Sequence, residues 1–276
     1  MTTFIVIIIS AVAAWLIYVR LKRLRRDKLF SKPLPPEWIK ILEDNVPLYS
    51  KLPPDLRREL HGCINLFMDE KEFFGCAGLI ITDQIRLTIA GNAAVLLLRR
   101  SDRRFPGFTS ILVYPETYLA KEIKYDGPVE IHGQSARAGE SWQRGPVVLS
   151  WSDILHDAGD ENGGHNVILH EFAHKLDEEN EIMDGLPILR DGADYEEWTE
   201  VLRREYDLLQ KNIDKGGDTV LDGYGTVSPP EFFAVATETF FEKPVEMKSQ
   251  LPDLYEQLKR YYNLDPAAWR TPAVNS

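Results

Sequence analysis

The chain has 276 residues, 44% of them hydrophobic and 27% charged, the make-up of an ordinary globular protein. Its formal net charge is −11, and its first 28 residues hold six basic side chains against one acid, so the remainder is more acidic still. A body of that sign excludes the electrostatic footprint of a nucleic-acid binder, and two cysteines, Cys63 and Cys76, in neither a C-x-x-C nor a disulfide framework, read as reduced, packed thiols.

Phe4 to Val19 is an uncharged, mostly apolar run, ending in Trp15 and Tyr18, which suit a membrane interface. About 17 residues suffice for a span when flanking side chains snorkel. A cleaved signal peptide carries its charge before the apolar run. Here Arg20, Lys22, Arg23, Arg25, Arg26 and Lys28 follow it. The positive-inside rule then predicts a single-pass anchor in a bacterial-type inner membrane, with the body in the cytoplasm. The basic cluster also favours anionic lipid headgroups. The expected organisation is an anchor and basic juxtamembrane segment over 1–30, and a proline-containing linker with a short helix over 31–54. A catalytic domain over 55–265 and a tail over 266–276 complete it.

Lys32-Pro-Leu-Pro-Pro36 is a semi-extended spacer, and a short helix is expected from Glu37 to Glu43. Leu56, Leu60, Cys63, Ile64 and Phe67 share a helical face within Asp55–Met68. Lys71–Cys76 reads as a turn, and Leu79-Ile80-Ile81 as a short strand or helix lead-in. A long helix is expected from Thr82-Asp83 to about Arg100. Ile111–Tyr114 is a strand stopped by Pro115, Val129–Ile131 a weaker one, and Gly133–Gly145 a hairpin or loop. Pro146–Trp151 is a second clear strand. It is either the edge to which an extended substrate adds or a purely structural core strand. Trp198, Val201, Leu202, Tyr206 and Leu209 predict an amphipathic helix over Ala193–Ile213.

Between these lies His170-Glu-Phe-Ala-His174, preceded by Val167-Ile-Leu169 and a Gly163-Gly164 loop. Residues four apart share a helix face, so His170 and His174 can offer two imidazoles to one zinc ion. Glu171 is placed to take a proton from a metal-bound water. Asp177 lies on nearly the same face and is either a carboxylate orienting a ligand histidine or a solvated helix-end acid. A catalytic zinc site needs a third protein ligand, and no third histidine stands at the metzincin spacing; His165 is off the helical face of His170. Ser228-Pro-Pro-Glu231 opens a helix whose Glu231 and Glu238 are the only acids in an apolar stretch. Either can be the ligand, and Glu231 can instead close a capping box with Ser228.

Four stretches, Glu70-Lys-Glu-Phe-Phe-Gly75, Gly145-Pro-Val-Val-Leu-Ser-Trp151, His170–Asp177 and Pro230-Glu-Phe-Phe-Ala-Val235, resemble the Mlc titration factor A family of zinc metallopeptidases. The resemblance runs from about residue 33 to about 265. The metal site of that family in turn resembles that of anthrax toxin lethal factor. The resemblance implies His170, His174 and Glu231 as zinc ligands, Glu171 as base, Tyr224 as a substrate-facing tyrosine and Glu238 behind the ligands. It also implies aminopeptidase-like action on small substrates and a protein partner, a glucose-responsive transcriptional repressor. The N-terminal anchor departs from the soluble family pattern. The fold expected is α+β and zincin-like, mostly helical with a small sheet against the metal helix, preceded by one transmembrane helix. The function expected is zinc-dependent hydrolysis of peptide or protein substrates. The alternatives are a zinc-stabilised module that sequesters a regulator and a lipid-facing regulator acting through Arg20–Lys28.

Overall fold

The computed structural model describes residues 2–116, 118–126, 129–137, 139–141, 145–159, 164–189 and 194–269, with backbone alone over 118–141. The expectations for Gly163, for Ala193 and for the tail beyond Trp269 lie outside these residues. The helices are α1 (Thr2–Phe30), α2 (Pro36–Asn45), α3 (Pro47–Lys51), α4 (Pro54–Glu70), α5 (Asp83–Val95), α6 (Trp151–Gly159), α7 (Val167–Asp177), α8 (Asp194–Asp214), α9 (Pro229–Glu242), α10 (Pro244–Gln250) and α11 (Pro252–Tyr262). The strands are β1 (Glu72–Gly75), β2 (Ser110–Tyr114), β3 (Tyr118–Asp126), β4 (Val129–Arg137), β5 (Gly139–Ser141) and β6 (Val147–Ser150).

Most helix starts follow local chemistry. Proline occupies the first helical turn of α2, α3, α4, α9, α10 and α11, where its missing N–H costs nothing. Thr82 caps α5, its hydroxyl accepting from the Ile85 N–H at 3.3 Å. That helix stops earlier than its apolar run, which continues to Leu98. Leu96, Leu97 and Leu98 bond three residues back instead of four, and Arg99 turns left-handed with φ 61°. The Glu59 carboxylate fixes this end by accepting from the Arg99 N–H at 3.1 Å.

Four strands form one sheet in the order β1-β2-β6-β5, with β1, β2 and β6 parallel and β5 antiparallel to β6. β3 and β4 pair separately as an antiparallel hairpin. Two expectations are corrected here. Lys71–Cys76 is not a turn: Glu72–Gly75 is a strand in register with Ser110–Val113. Three of its four residues are exposed, and Phe73 and Phe74 are too short an apolar run to announce a strand. Val147–Trp151 is not an edge. β6 lies between β2 and β5 with all four residues buried, and Trp151 already begins α6. The strand beyond it is β5, which lies against α7.

The core joins every layer. Leu34, Leu42, Val46, Leu48, Tyr49 and Leu52, from the stretch expected as linker and short helix, are buried in it. α2 can approach α5 closely because residue 91 is glycine: a Cβ there would stand 2.7 Å from Leu42 Cδ2 and 2.9 Å from Val46 Cγ2. α1 is long and apolar enough to cross a membrane, and its apolar window is not buried. Its last turns pack on α4. Arg25 pairs with Asp69 at 2.6 Å, Arg26 pairs with Glu70, and Phe30 fills the space that a side chain at Gly62 would need.

On α7 the face opposite the histidines is anchored by Phe172, fully buried against Phe67, Phe105 and Phe108 with ring centroids 5.6, 4.9 and 5.9 Å away. Phe172→Ala is expected to lower the free energy of unfolding by about 3–5 kcal/mol, the usual cost of emptying a buried phenylalanine site, as read by denaturant unfolding.

Candidate metal centre

Two helices build the site. α7 begins at Asn166, whose Oδ1 accepts from the Leu169 N–H at 3.1 Å. One turn further in, His170 and His174 project from the same face, their Nε2 atoms 3.2 Å apart. α9 packs against α7 and begins at Ser228, whose hydroxyl accepts from the Glu231 N–H at 3.4 Å. This is the serine half of a capping box. The glutamate half is diverted: Glu231 Oε2 lies 2.9 Å from His170 Nε2 and 3.3 Å from His174 Nε2.

Glu238, two turns along α9, has a different position. Its Oε1 is 2.7 Å from His170 Nδ1, and its Oε2 accepts from the Asn166 N–H at 2.7 Å. The geometry thus sorts the two acids. Glu231 faces the nitrogens that point at each other, and Glu238 stands behind His170.

Burial alone pushes the Glu231 carboxyl up, but hydrogen bonds from His170 and His174 outweigh it and hold the group at about 2. For His170, burial opposes protonation, while hydrogen bonds to Glu231 and Glu238 prevail and raise its pKa well above the usual histidine range. His174 goes the other way: burial lowers it, and the neighbouring His170 charge adds to the effect.

The donor set suits a metal. Two imidazole nitrogens and one carboxylate oxygen, all within 4.8 Å of one another, converge from two packed helices. Two histidines and one glutamate are a zinc set that leaves a fourth position for water. A divalent cation at their centre would satisfy the three lone pairs at once.

Glu171, next to His170, is buried, and its charge acts on the His170 imidazole. Tyr224 lies in the 3-10 turn Gly223–Thr226, itself capped by Asp222, whose Oδ1 accepts from the Tyr224 N–H at 2.7 Å. Its ring is half exposed and centred 5.8 Å from the His170 ring, so it stands at the mouth of the site. Asp177 is fully buried, and its Oδ2 accepts from the Gly185 N–H at 2.8 Å, a bond to the following loop. Burial pushes its carboxyl up to about 7. His165 lies with Asp222, its Nε2 3.4 Å from Oδ2.

Asn166 was not singled out from the sequence. Beyond capping α7, its Nδ2 lies 3.0 Å from Asn92 Oδ1 and 2.8 Å from Glu242 Oε1. It therefore ties the metal helix to α5 and α9 together. An asparagine directly before a helical apolar run is a recognisable N-cap signal, and that signal was available.

Comparison with known proteins shows the family. The sequence profile of the glucose-regulated metallo-peptidase M90 family matches residues 20–263. An uncharacterized protein of Synechocystis sp. is 42% identical over 244 residues, 88% of this chain and 89% of its own length. Mlc titration factor A of Yersinia pestis is 33% identical over 230 residues, 81% of this chain and 83% of its own, and its counterpart in Yersinia pseudotuberculosis matches equally. With both the profile and these relatives spanning most of its length, the chain belongs to the glucose-regulated metallo-peptidase M90 family and is similar to the Mlc titration factor A proteins.

Proposed function

We propose that the chain is a zinc-dependent peptidase, tethered by α1 with its body on the cytoplasmic side of the membrane. The observation that carries the reading is the convergence of His170, His174 and Glu231, with Glu238 on the far nitrogen of His170. Membership of a metallopeptidase family supports the reaction class.

His170, His174 and Glu231 would hold the ion. Zinc in that place supplies a Lewis acid that brings the pKa of water from about 15.7 toward ~7 and polarises a peptide carbonyl. The Glu171 carboxylate takes the proton of the attacking water and passes it to the leaving amine nitrogen. The Tyr224 hydroxyl donates to the oxyanion as the carbonyl carbon becomes tetrahedral. Glu238 accepts from the His170 Nδ1–H, which fixes the tautomer and aims the Nε2 lone pair into the site. The small sheet beside α7 supports a zincin-like arrangement. With β6 interior, the outer edge of β5 is the place for an extended peptide to add as a strand. Aminopeptidase-like action on short peptides fits the family resemblance.

A second reading has its own support. The Yersinia relatives are named as factors that titrate Mlc, so this chain can be a module that captures a protein regulator, with zinc serving structure. Glu171→Gln separates the two: partner capture that survives it while peptide cleavage is lost assigns both roles to one body.

Glu171→Gln is expected to lower kcat by about 10²–10⁴-fold with stoichiometric zinc retained, by peptide assay alongside metal analysis. Wild-type turnover in the zinc-loaded variant would overturn the mechanism. Tyr224→Phe is expected to lower kcat by roughly 10²–10³-fold with zinc affinity unchanged. Competition with a zinc chelator tests the metal set: Glu238→Gln should weaken zinc binding by about 10–100-fold, and Glu231→Ala should weaken it further.

A further inference from the structure

One large cavity among the described residues lies away from His170, His174 and Glu231. It is an open groove of about 1460 Å³ where the last turns of α1 meet α4 and the 101–110 loop. We propose that this groove binds the phosphate of an anionic phospholipid in the leaflet that α1 enters, a proposal that rests on the membrane-anchored reading.

Of the acids in the wall, Asp69 and Glu70 are taken by Arg25 and Arg26, and Asp102 lies 3.3 Å from Arg100. Among the described residues, Lys22, Arg23 and Arg104 line the groove without an ion-pair partner, and only Asp27 remains to oppose them. All three cations are exposed. On an otherwise acidic chain, this is a local excess of positive charge.

Phe4 to Val19 spans roughly 24 Å at 1.5 Å per residue, less than the ~30 Å hydrocarbon core, so the residues after Val19 are drawn toward the headgroups. Val19, Lys22 and Arg23 line the groove. Four residues of helix rise about 6 Å, within the roughly 5–8 Å headgroup layer of one leaflet. The half-exposed Phe74 on the wall gives the glycerol and upper acyl region an apolar surface.

The 101–110 loop is tied down by side chains of α1 and of the residue after α4. The buried Lys71 ammonium donates to the Phe105 and Phe108 carbonyls at 2.7 and 2.6 Å and lies 3.8 Å over the Phe108 ring centroid. Arg26 Nη2 donates to the Asp102 carbonyl at 3.0 Å. Arg104 is therefore carried on a loop already tied to α1 and α4, and little order remains to be gained on binding. Burial, with the Lys175 and Arg104 charges nearby, holds Lys71 down at about 8.

The test is native mass spectrometry of the full chain, released from micelles carrying phosphatidylglycerol or phosphatidylcholine. Preferential retention of phosphatidylglycerol is expected. Arg23→Ala and Arg104→Ala should each reduce its occupancy by about fivefold, the effect of one basic residue at an anionic surface. Arg20→Ala, an equal charge change on α1 outside the groove lining, should leave it unaltered. Equal retention of the two lipids, or equal loss in Arg20→Ala and Arg104→Ala, overturns the site. Displacement of the lipid by millimolar glycerol 3-phosphate overturns the lipid as its source. Alkaline carbonate extraction of membranes holding the full chain tests the anchor separately: release of the chain overturns the anchored reading itself, whereas retention without lipid preference overturns only the groove.

Discussion

A buried carboxylate on an apolar helix must have all its lone pairs answered, and Glu238 is where that requirement acts on this fold. It is buried on α9, a helix whose other buried residues include Phe232, Phe233, Phe240 and Phe241, and an isolated charge there would cost several kcal/mol. One oxygen is answered by His170 Nδ1 and the other by the backbone N–H at the start of α7. The same group therefore sets the rotation of an imidazole and the longitudinal position of α7 against α9. Once that register is fixed, Glu231, two turns earlier on α9, falls beside His170 and His174. Asn166 extends the constraint to α5 and to Glu242, so the His170–His174 face of α7 is held from two other helices, α5 and α9.

That logic explains what the sequence made legible. The four-residue spacing of His170 and His174 is local helix geometry and needs no tertiary information. The serine-proline opening of α9 is equally local. The competition between Glu231 as cap and Glu231 as ligand was not local, because both uses satisfy the same carboxylate. Contact with α7 turns the Glu231 carboxylate toward His170 and His174, the position that the proposed ligand role needs. Asp177 shows the limit of spacing arguments. Its place on the helical face is as expected, but the next loop brings the Gly185 N–H to it, and a backbone donor at the helix end takes the oxygen.

The sheet was the less legible part. Parallel pairing joins residues tens of positions apart, and β1 offers no apolar run to announce it. β6 did offer one, and its form carried more information than its existence. Val147, Val148 and Leu149 are consecutive apolar residues, without the alternation of a half-exposed edge. Such a run belongs between two neighbours, as β6 is. The edge fell instead to a three-residue strand in a stretch whose glycines and charges resemble a loop.

The join between α1 and the body carries the last consequence. The sequence suggested a proline-containing linker, which would let the catalytic body swing freely below a membrane. The packing argues otherwise. α1 runs unbroken to Phe30, where its ring occupies the space left by Gly62 of α4. α4 packs on α5, and α5 packs on α7. The residues after α1 are spent in the core, not on reach. A chain of direct helix contacts thus connects the apolar helix to the helix that bears His170 and His174. On the proposed reading of an anchored metallopeptidase, the height and tilt of the His170–His174 face above the bilayer follow from the tilt of α1, and that height would in turn limit which peptides reach it.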